Sequence, residues 1–432
     1  MSAHHKLSLR AAMLININIM LGSGLFLNTL PLSTIVGGYS PLVYMIVGVL
    51  MLPLIIAVAR LLAIYPGGSL YTFGNHLGPL WGFIAAWSYF TGKLGSCAIM
   101  IHFFATNIQQ AFPWLQCTPT MLLDCCVIAI FTLLNLLNMQ TGSIIQTLFI
   151  TLKGIPILAI ILLGMWYGDL SQLAHVPASI SSIPIVIPLI IYAFSGFEAT
   201  CSLSAHIENP QRNGPRAVLY AFGIVVTIAT LFQLVYFASI DLTALATTPA
   251  MHGMTLFVRS LFTAARMQQA IIPALSAAVA ISALGGAYGI MFSNNWNLYT
   301  LAQHGHTYGA RYLLQKNKYH IAHWCILIQS SIITGYLLLT NAHQLALQQV
   351  SAFGGTIATT LAVISLLVWL QTNRNKWLTV IAWAALGSCL LLLGCCLCGF
   401  IAKGIIGLVI FSILAGIGLI MYSSTTKGRQ SL

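Results

Sequence analysis

Charged side chains are scarce in this sequence. Only 5% of the 432 residues are charged, whereas 59% are apolar. A soluble globular protein carries about 25% charged residues, so these few charges cannot build a water-facing surface for a chain of this length. The scarcity excludes a cytosolic enzyme, a disordered protein and a nucleic-acid binder, even though the net charge is +12. The sequence therefore predicts an integral membrane protein that lipid surrounds.

Motifs of catalysis and of nucleotide or metal binding are also missing. The sequence contains no His-Glu-x-x-His, no Gly-x-Ser-x-Gly and no Walker A motif. The ten cysteines form no metal pattern, and those at 125–126 and 395–398 lie in apolar segments, where cysteine acts as a small hydrophobic residue. We also find no repeated pore motif of the kind that channels arrange around an axis. These absences argue against an intramembrane enzyme and a channel, and they predict no catalytic residue, no metal and no cofactor.

Long apolar stretches are what the sequence does have. No Asp, Glu, Lys or Arg occurs from Ala11 to Ala59 or from Met267 to Ala310. A helix crosses the hydrocarbon core with about 20 apolar residues, and these stretches lack the alternation of a membrane β-barrel. We expect an all-α protein with a less apolar segment at 241–269 that forms one or two short surface helices. The predicted spans are 11–37, 40–64, 81–112, 120–138, 143–168, 183–207, 214–240, 270–303, 320–340, 344–371, 376–400 and 402–423.

Basic residues in the loops predict the orientation. The apolar run after Lys6 and Arg10 is too long for a signal peptide and has no cleavage site, so we interpret it as the first span. With the N-terminus in the cytoplasm, twelve of the seventeen bases lie on the cytoplasmic side and three on the opposite side. Both termini are then cytoplasmic. The twelve bases are Lys6, Arg10, Arg60, Arg212, Arg216, Arg311, Lys316, Lys318, Arg374, Lys376, Lys427 and Arg429, and the three are Arg259, Arg266 and Lys403.

Two of the predicted spans are interrupted near their middle. The first contains Gly-Ser-Gly-Leu-Phe at 22–26, and the sixth contains Phe-Ser-Gly-Phe-Glu at 194–198. Glycine in a single span is often only a packing residue, but paired interruptions in two halves indicate a transporter built of inverted repeats. We therefore predict a first repeat at 1–168, a second repeat at 183–371, and two appended spans with a cytoplasmic tail at 376–432.

A broken helix offers unpaired backbone groups at mid-membrane. The N-terminal end of a half-helix carries roughly half a positive charge and can hold a carboxylate without a basic side chain. Exposed carbonyl groups can hold an ammonium group, and the hydroxyl of Ser23 would add a further hydrogen bond. Such a site suits the backbone of an amino acid.

The motifs resemble those of the amino acid–polyamine–organocation (APC) permeases. The motif at 22–26 is similar to their first-span signature. Pro-Gly-Gly-Ser at 66–69 and Gly-Pro-x-x-Gly at 78–82 are similar to the loop between their second and third spans. The motifs at 194–198 and 208–215 are similar to their sixth span and its cytoplasmic exit. Over spans 8–12 the resemblance consists mainly of hydropathy and Leu-Gly-Gly at 284–286. The nearest pattern is the bacterial basic amino acid/polyamine antiporter branch. The resemblance implies a LeuT-type fold of 5+5 inverted repeats with helices 1 and 6 broken.

The resemblance also implies roles for individual residues. The substrate carboxylate would meet N–H groups of the first break, and the ammonium group would meet carbonyls near both breaks. Ala287 stands where the arginine antiporters have a stacking tryptophan, which favours a smaller or less cationic substrate. The predicted substrate-binding residues are Met20, Gly22, Ser23, Gly24, Tyr89, Tyr192, Phe194, Ser195, Gly196, Ala287 and Tyr288.

Ionisable residues inside spans are costly and are functional candidates. We predict that Glu198 and Lys153 couple transport to protons. The alternatives are a neutral Glu198 carboxyl bonded to unwound backbone and a Lys153 side chain that reaches the interface. The role of Lys93 stays open between pairing with Glu198 and facing water. The aspartates at 124, 169 and 241 are expected to be solvated at span ends, and His102 to be a hydrogen-bonded packing residue.

Together these features predict a secondary active amino acid transporter of the bacterial inner membrane. It would work by alternating access, through proton symport or exchange, with an amino acid/amine antiporter of the arginine/agmatine type as the alternative. Its partners would be an amino acid or amine, protons and membrane lipid, without nucleic acid, and a homodimer is possible. The identity of the substrate and the choice between symport and antiport stay open.

Overall fold

The computed structural model describes residues 6–175, 182–245, 247–249 and 252–430. The first five residues of the predicted first repeat (1–168) and the last two of the predicted tail (376–432) therefore lie outside the described residues. Positions 246, 250 and 251 of the 241–269 segment lie outside them too. The side chains of Lys403, Lys427 and Arg429 lie outside them as well.

The described chain is helical, which confirms the all-α prediction, and a single isolated bridge joins Leu7 to Ile207. We number the long helices after the predicted spans and give the two parts of a broken helix the letters a and b. They are Leu9–Met20 (1a), Ser23–Val36 (1b), Ser40–Ile64 (2), Pro79–Ala111 (3), Thr120–Asn135 (4), Met139–Tyr167 (5), Ile183–Phe194 (6a), Ala199–Leu203 (6b), Pro210–Phe237 (7), Ala265–Gln303 (8), His323–Thr340 (9), Gln344–Thr372 (10), Lys376–Lys403 (11) and Ile406–Gln430 (12).

Nine helical stretches among the described residues are long and apolar enough to cross a membrane, so the chain is a multi-pass membrane protein. The first of them, Leu9–Ile64, contains helices 1a, 1b and 2. Helix 4 is apolar but has only 16 residues, and helix 3 is not among the nine although it has 33 residues. The count of twelve spans therefore stays a prediction.

The segment at 241–269 contains one short helix, Gly253–Leu261. Its residues Met254, Leu256, Phe257 and Val258 are buried, and the Tyr236 hydroxyl donates to the Gly253 carbonyl at 2.9 Å. The predicted short helix is therefore present, and one of its faces packs against the protein. Helix 8 begins at Ala265, five residues before the predicted span.

The two broken helices occupy the centre of the protein. Every residue from Ile15 to Leu30 and from Val186 to Ser204 is buried. Helices 1a and 1b contact helices 5, 7, 8 and 6a, and helix 6a also packs against helices 10 and 11. Backbone groups that a break leaves unpaired cannot face lipid, so non-helical backbone at membrane depth has to be buried in protein or line a cavity. The fold thus shields both interruptions from lipid.

Candidate functional site

The first interruption lies at Leu21 and Gly22. Helix 1a ends at Met20 and helix 1b begins at Ser23, so Ser23 and Gly24 form the first turn of helix 1b. Two residues are enough for the break because Gly22 has no side chain, and a Cβ atom there would collide with Met100 of helix 3. The first N–H groups of helix 1b have no partner within the helix and carry its positive partial charge.

The second interruption comprises residues Ser195–Glu198. Helix 6a ends at Phe194, and helix 6b resumes at Ala199. Gly196 adopts a φ of 147°, and a Cβ atom there would lie 2.8 Å from the side chain of Met20. This position requires glycine for its backbone angle and for its close contact with helix 1a.

The two interruptions face each other. The Ser23 hydroxyl lies 2.9 Å from the Tyr192 hydroxyl, and a Cβ atom at Gly24 would be 2.9 Å from Cα of Ala193. Gly196 contacts Met20 from the other direction. The protein therefore brings together six of the predicted substrate-binding residues, which are Met20, Gly22, Ser23, Gly24, Tyr192 and Gly196.

Lys153 of helix 5 reaches the C-terminal end of helix 1a. Its Nζ atom donates to the carbonyl groups of Asn18 at 2.6 Å and of Leu21 at 2.9 Å. The residue has no exposed surface, so the alternative that its side chain extends to the interface is wrong. The ammonium group instead satisfies carbonyls that the interruption leaves without helical partners.

A second buried lysine lies at the other interruption. Lys93 of helix 3 donates to the Ser195 hydroxyl at 2.6 Å, and its Nζ atom is 3.9 Å from Oε2 of Glu198. Oε2 also accepts a hydrogen bond of 2.7 Å from the Gly196 N–H. The open question about Lys93 is thus answered by a buried ion pair with Glu198. Because burying both ions is costly, such a pair is weak evidence for a purely stabilising role.

The remaining predicted site residues surround the two interruptions less directly. Tyr89 is buried, and its ring centroid lies 5.7 Å from Nζ of Lys93. The Phe194 ring packs against the rings of Tyr44 and Phe222, with both centroids 5.7 Å away. These positions do not test the predicted roles.

Gly286 of helix 8 contacts the first interruption. A Cβ atom at Gly286 would lie 3.0 Å from Cα of Gly22. The neighbouring Ala287 carbonyl accepts from the thiol of Cys97, and the Tyr288 ring packs among aromatic rings of helices 4, 5 and 8. The substrate roles of Ala287 and Tyr288 stay predictions.

Sequence reasoning missed two polar residues that hold the first interruption in place. The Asn18 amide donates to the Gly285 carbonyl at 2.9 Å and to the side chain of Gln146. Gln146 stands seven residues before Lys153 on helix 5, so both side chains project from one face of that helix. The signal available in the sequence was the pair of polar residues Gln146 and Lys153, two helical turns apart within one apolar span.

The expectation that Asp124 is solvated is wrong. Asp124 is 1% exposed, and its Oδ2 atom lies 2.9 Å from Nδ1 of His102. This pair also bears out the interpretation of His102 as a hydrogen-bonded packing residue. Asp169 and Asp241 are exposed, as expected. Within the described ranges, no group of three His, Cys, Asp or Glu residues could hold a metal ion.

Comparison with known proteins agrees with this architecture. Residues 7–425 match the sequence profile of the amino acid permease family. An uncharacterized transporter of Mycobacterium tuberculosis is 25% identical over 70% of the chain and 66% of its own length. The serine/threonine exchanger SteT of Bacillus subtilis is 26% identical over 37% of each protein. The b(0,+)-type amino acid transporter 1 of Mus musculus is 25% identical over 56% of the chain and 50% of its own length.

These curated relatives are thus matched over less than two thirds of their own length, whereas the family profile extends over nearly the entire chain. The profile and the two facing interruptions lead to the same assignment. The chain belongs to the amino acid permease family of the APC superfamily.

Proposed function

We propose that the protein is a secondary active transporter that moves amino acids across the bacterial cytoplasmic membrane by alternating access. The observation that carries this proposal is the contact between the two interrupted helices, through Ser23 with Tyr192 and through Gly24 with Ala193. Two half-helices that meet in the buried centre supply opposite partial charges to one small region. An amino acid zwitterion has the matching pair of charges.

In this proposal the substrate backbone binds between the interruptions. Its carboxylate accepts hydrogen bonds from the first N–H groups of helix 1b, at Ser23 and Gly24. Its ammonium group donates to carbonyls near Met20, Tyr192 and Ser195. Tyr192 closes the site as a lid, and Tyr89 forms a wall.

The charges around the interruptions favour an uncharged substrate side chain. Two ammonium groups, of Lys93 and Lys153, lie there with only one carboxylate, of Glu198. A cationic side chain would add a further positive charge to this buried region, and an amine without a carboxylate would leave the N–H groups of helix 1b unused. We therefore place a small neutral amino acid first, in agreement with the name of the serine/threonine exchanger relative. An amine antiporter of the arginine/agmatine type is the second candidate.

The same proposal includes the architecture and the orientation. Helices 1–5 and 6–10 form two inverted repeats of a LeuT-type fold, within 1–168 and 183–371, and helices 11 and 12 are appended. The positions of the two interruptions, five helices apart, support this arrangement. The excess of bases in the loops on the side of the N-terminus supports cytoplasmic termini.

A panel of ligands on the purified protein tests the substrate class. A ligand that binds only the folded protein raises its stability by about 2.7 kcal/mol at 100 times its Kd. We expect serine, threonine or another neutral amino acid to raise the melting temperature more than arginine, agmatine or putrescine does. A shift with agmatine or putrescine alone would favour the amine antiporter. If no amino acid shifts the melting temperature, amino acid transport is rejected.

We further propose that Glu198 and Lys153 couple transport to protons. Protonation of Glu198 would remove the charge that faces Lys93, and Ser195 would then be the remaining partner of that lysine. Glu198 belongs to the second interruption and Lys153 of helix 5 contacts the first, so a change of their contacts would act on the substrate-binding groups directly.

Glu198→Gln is expected to keep substrate binding and to flatten the pH dependence of transport, because glutamine resembles the protonated carboxyl. Uptake into liposomes, measured between about pH 5 and pH 8 at intervals of about one pH unit, checks this expectation. Glu208→Gln is the matched control, since Glu208 is an exposed loop residue and its variant should keep the wild-type profile. A wild-type pH profile in Glu198→Gln would remove this carboxylate from the coupling mechanism.

A further inference from the structure

A polar groove opens between helices 2, 7, 10 and 11, on the side of the protein where the N-terminus lies. It has a volume of about 660 Å³, within the range of roughly 300–1,000 Å³ of small-ligand sites. Its polar lining comes from the ends of all four helices, and a tryptophan completes one wall. These lining residues are Arg60, Gln211, Trp369, Asn373, Arg374 and Asn375.

Two guanidinium groups give the groove a positive charge. Arg60 and Arg374 are both exposed, and in the part of the chain that the structure describes neither side chain forms an ion pair or donates a hydrogen bond. No acidic side chain lines the groove. Arginine matches the oxygens of a phosphate group with two parallel N–H donors, so a pair of unpartnered arginines facing one groove suits a phosphate.

The tryptophans place this groove at the membrane surface. Trp369 lines the groove, and the neighbouring Trp377 is 74% exposed on the first turn of helix 11. Tryptophan is enriched at the level of the lipid headgroups. The exposed residues Val380 and Trp383 continue from Trp377 along helix 11 toward the membrane interior. This apolar strip lies on a helix that borders the cationic groove, so one molecule can place its headgroup in the groove and its acyl chains against that helix.

We propose that this groove binds the phosphate of an anionic phospholipid, held between Arg60 and Arg374, with the acyl chains along helix 11. Basic pockets between membrane helices on the cytoplasmic side are suited to anionic headgroups. A free phosphate ion has the same headgroup chemistry but would make no use of the apolar strip. The site is separate from the interrupted helices, so the inference does not depend on the transported substrate.

The test measures lipid binding to purified, delipidated protein in a neutral detergent. Phosphatidylglycerol, phosphatidylcholine and inorganic phosphate are added separately, and bound lipid is counted by native mass spectrometry alongside the melting temperature. The double variant Arg60→Gln/Arg374→Gln removes both charges, and Arg60→Lys/Arg374→Lys keeps them. The matched control is Arg311→Gln/Lys316→Gln, which removes two exposed bases from the same side of the protein but outside the groove.

We expect phosphatidylglycerol, but neither phosphatidylcholine nor inorganic phosphate, to raise the melting temperature of the wild type. Its affinity should fall about fivefold for each arginine replaced by glutamine and stay unchanged in the control. The lysine variant should retain part of the affinity, and the melting temperature of each variant without added lipid shows whether it is folded. Equal losses in control and groove variants, or unchanged binding in the groove variant, would overturn the proposal. Binding of inorganic phosphate alone would assign the groove to a free anion and overturn the proposal of a lipid site.

Discussion

Gly24→Leu is expected to lower substrate affinity roughly tenfold. Helices 1b and 6a are in contact at Gly24, where a Cβ atom would lie 2.9 Å from Cα of Ala193 and 3.1 Å from the Tyr192 ring. A backbone atom cannot move aside as a flexible side chain can, so leucine must separate the two half-helices. Overpacking of this kind costs about 1–3 kcal/mol, and 1.4 kcal/mol corresponds to roughly a tenfold change in affinity. Thermal shift with the best ligand of the panel measures the loss.

Gly223→Leu is the matched control for this substitution. Gly223 lies on helix 7, and a Cβ atom there would have no other atom within 4 Å, so leucine should leave affinity unchanged. Gly24→Ala adds one methyl group and should fall between wild type and Gly24→Leu, which keeps the test informative if the leucine variant is unstable. Tyr192→Phe keeps the ring and removes the hydroxyl group that bonds to the side chains of Ser23 and Ser96. Wild-type affinity in a folded Gly24→Leu protein would place the substrate elsewhere.

The physical reason for the Gly24 effect comes from the structure. From the sequence alone, a side chain at Gly24 is expected to act by shielding bare N–H groups from the substrate carboxylate. In the protein, the space beside this glycine is already filled by helix 6a, through Tyr192 and Ala193. The substitution therefore disturbs the junction between the two interrupted helices, and we expect its effect on binding to come with a lower melting temperature.

Lys153→Met is expected to abolish accumulation driven by a pH gradient while sparing exchange. Methionine preserves much of the side-chain volume but leaves the carbonyls of Asn18 and Leu21 without the ammonium group. An unsatisfied buried acceptor costs about 1–3 kcal/mol, so helix 1a should lose its fixed position relative to helix 5. Uptake into liposomes with and without an imposed pH gradient, together with exchange, measures both effects.

Leu152→Ala is a suitable control for the lysine substitution, because Leu152 is the adjacent residue of helix 5 and is partly exposed on the outer surface. Lys153→Gln adds a second variant that can still donate a hydrogen bond but carries no charge. If it also loses the response to the gradient, the charge is required. Accumulation at the wild-type level in both Lys153 variants would exclude this lysine from proton coupling.

The sequence was sufficient to predict which helices are interrupted. The two closely spaced glycines at 22–26 are costly in a helix, and the glycine motif at 194–198 forms the corresponding interruption of the second half. The sequence placed the first interruption slightly too late, since Ser23 and Gly24 already belong to helix 1b. The second interruption, at Ser195–Glu198, agrees with its motif. Local composition thus indicates that a helix must break, whereas neighbouring helices decide at which residue it resumes.

Contacts between distant helices could not be predicted in the same way. Asp124 stands in the second turn of helix 4, a position that suggests solvation, but His102 of helix 3 is 2.9 Å from its carboxylate. The pairing of Lys93 with Glu198 was one of two alternatives because it depends on how helices 3 and 6 pack. The contact of Gly286 with the first interruption likewise depends on the rotation of helix 8, which its neighbours fix.

Counterflow in liposomes tests the central claim most directly. Purified protein is reconstituted, the liposomes are loaded with an unlabelled neutral amino acid such as serine, and entry of the labelled amino acid is followed. We predict that label enters loaded proteoliposomes, that it stays outside protein-free liposomes, and that Gly24→Leu loses this entry while Gly223→Leu keeps it. Absence of counterflow with every amino acid, or full counterflow in Gly24→Leu, would contradict transport of amino acids through the paired interruptions.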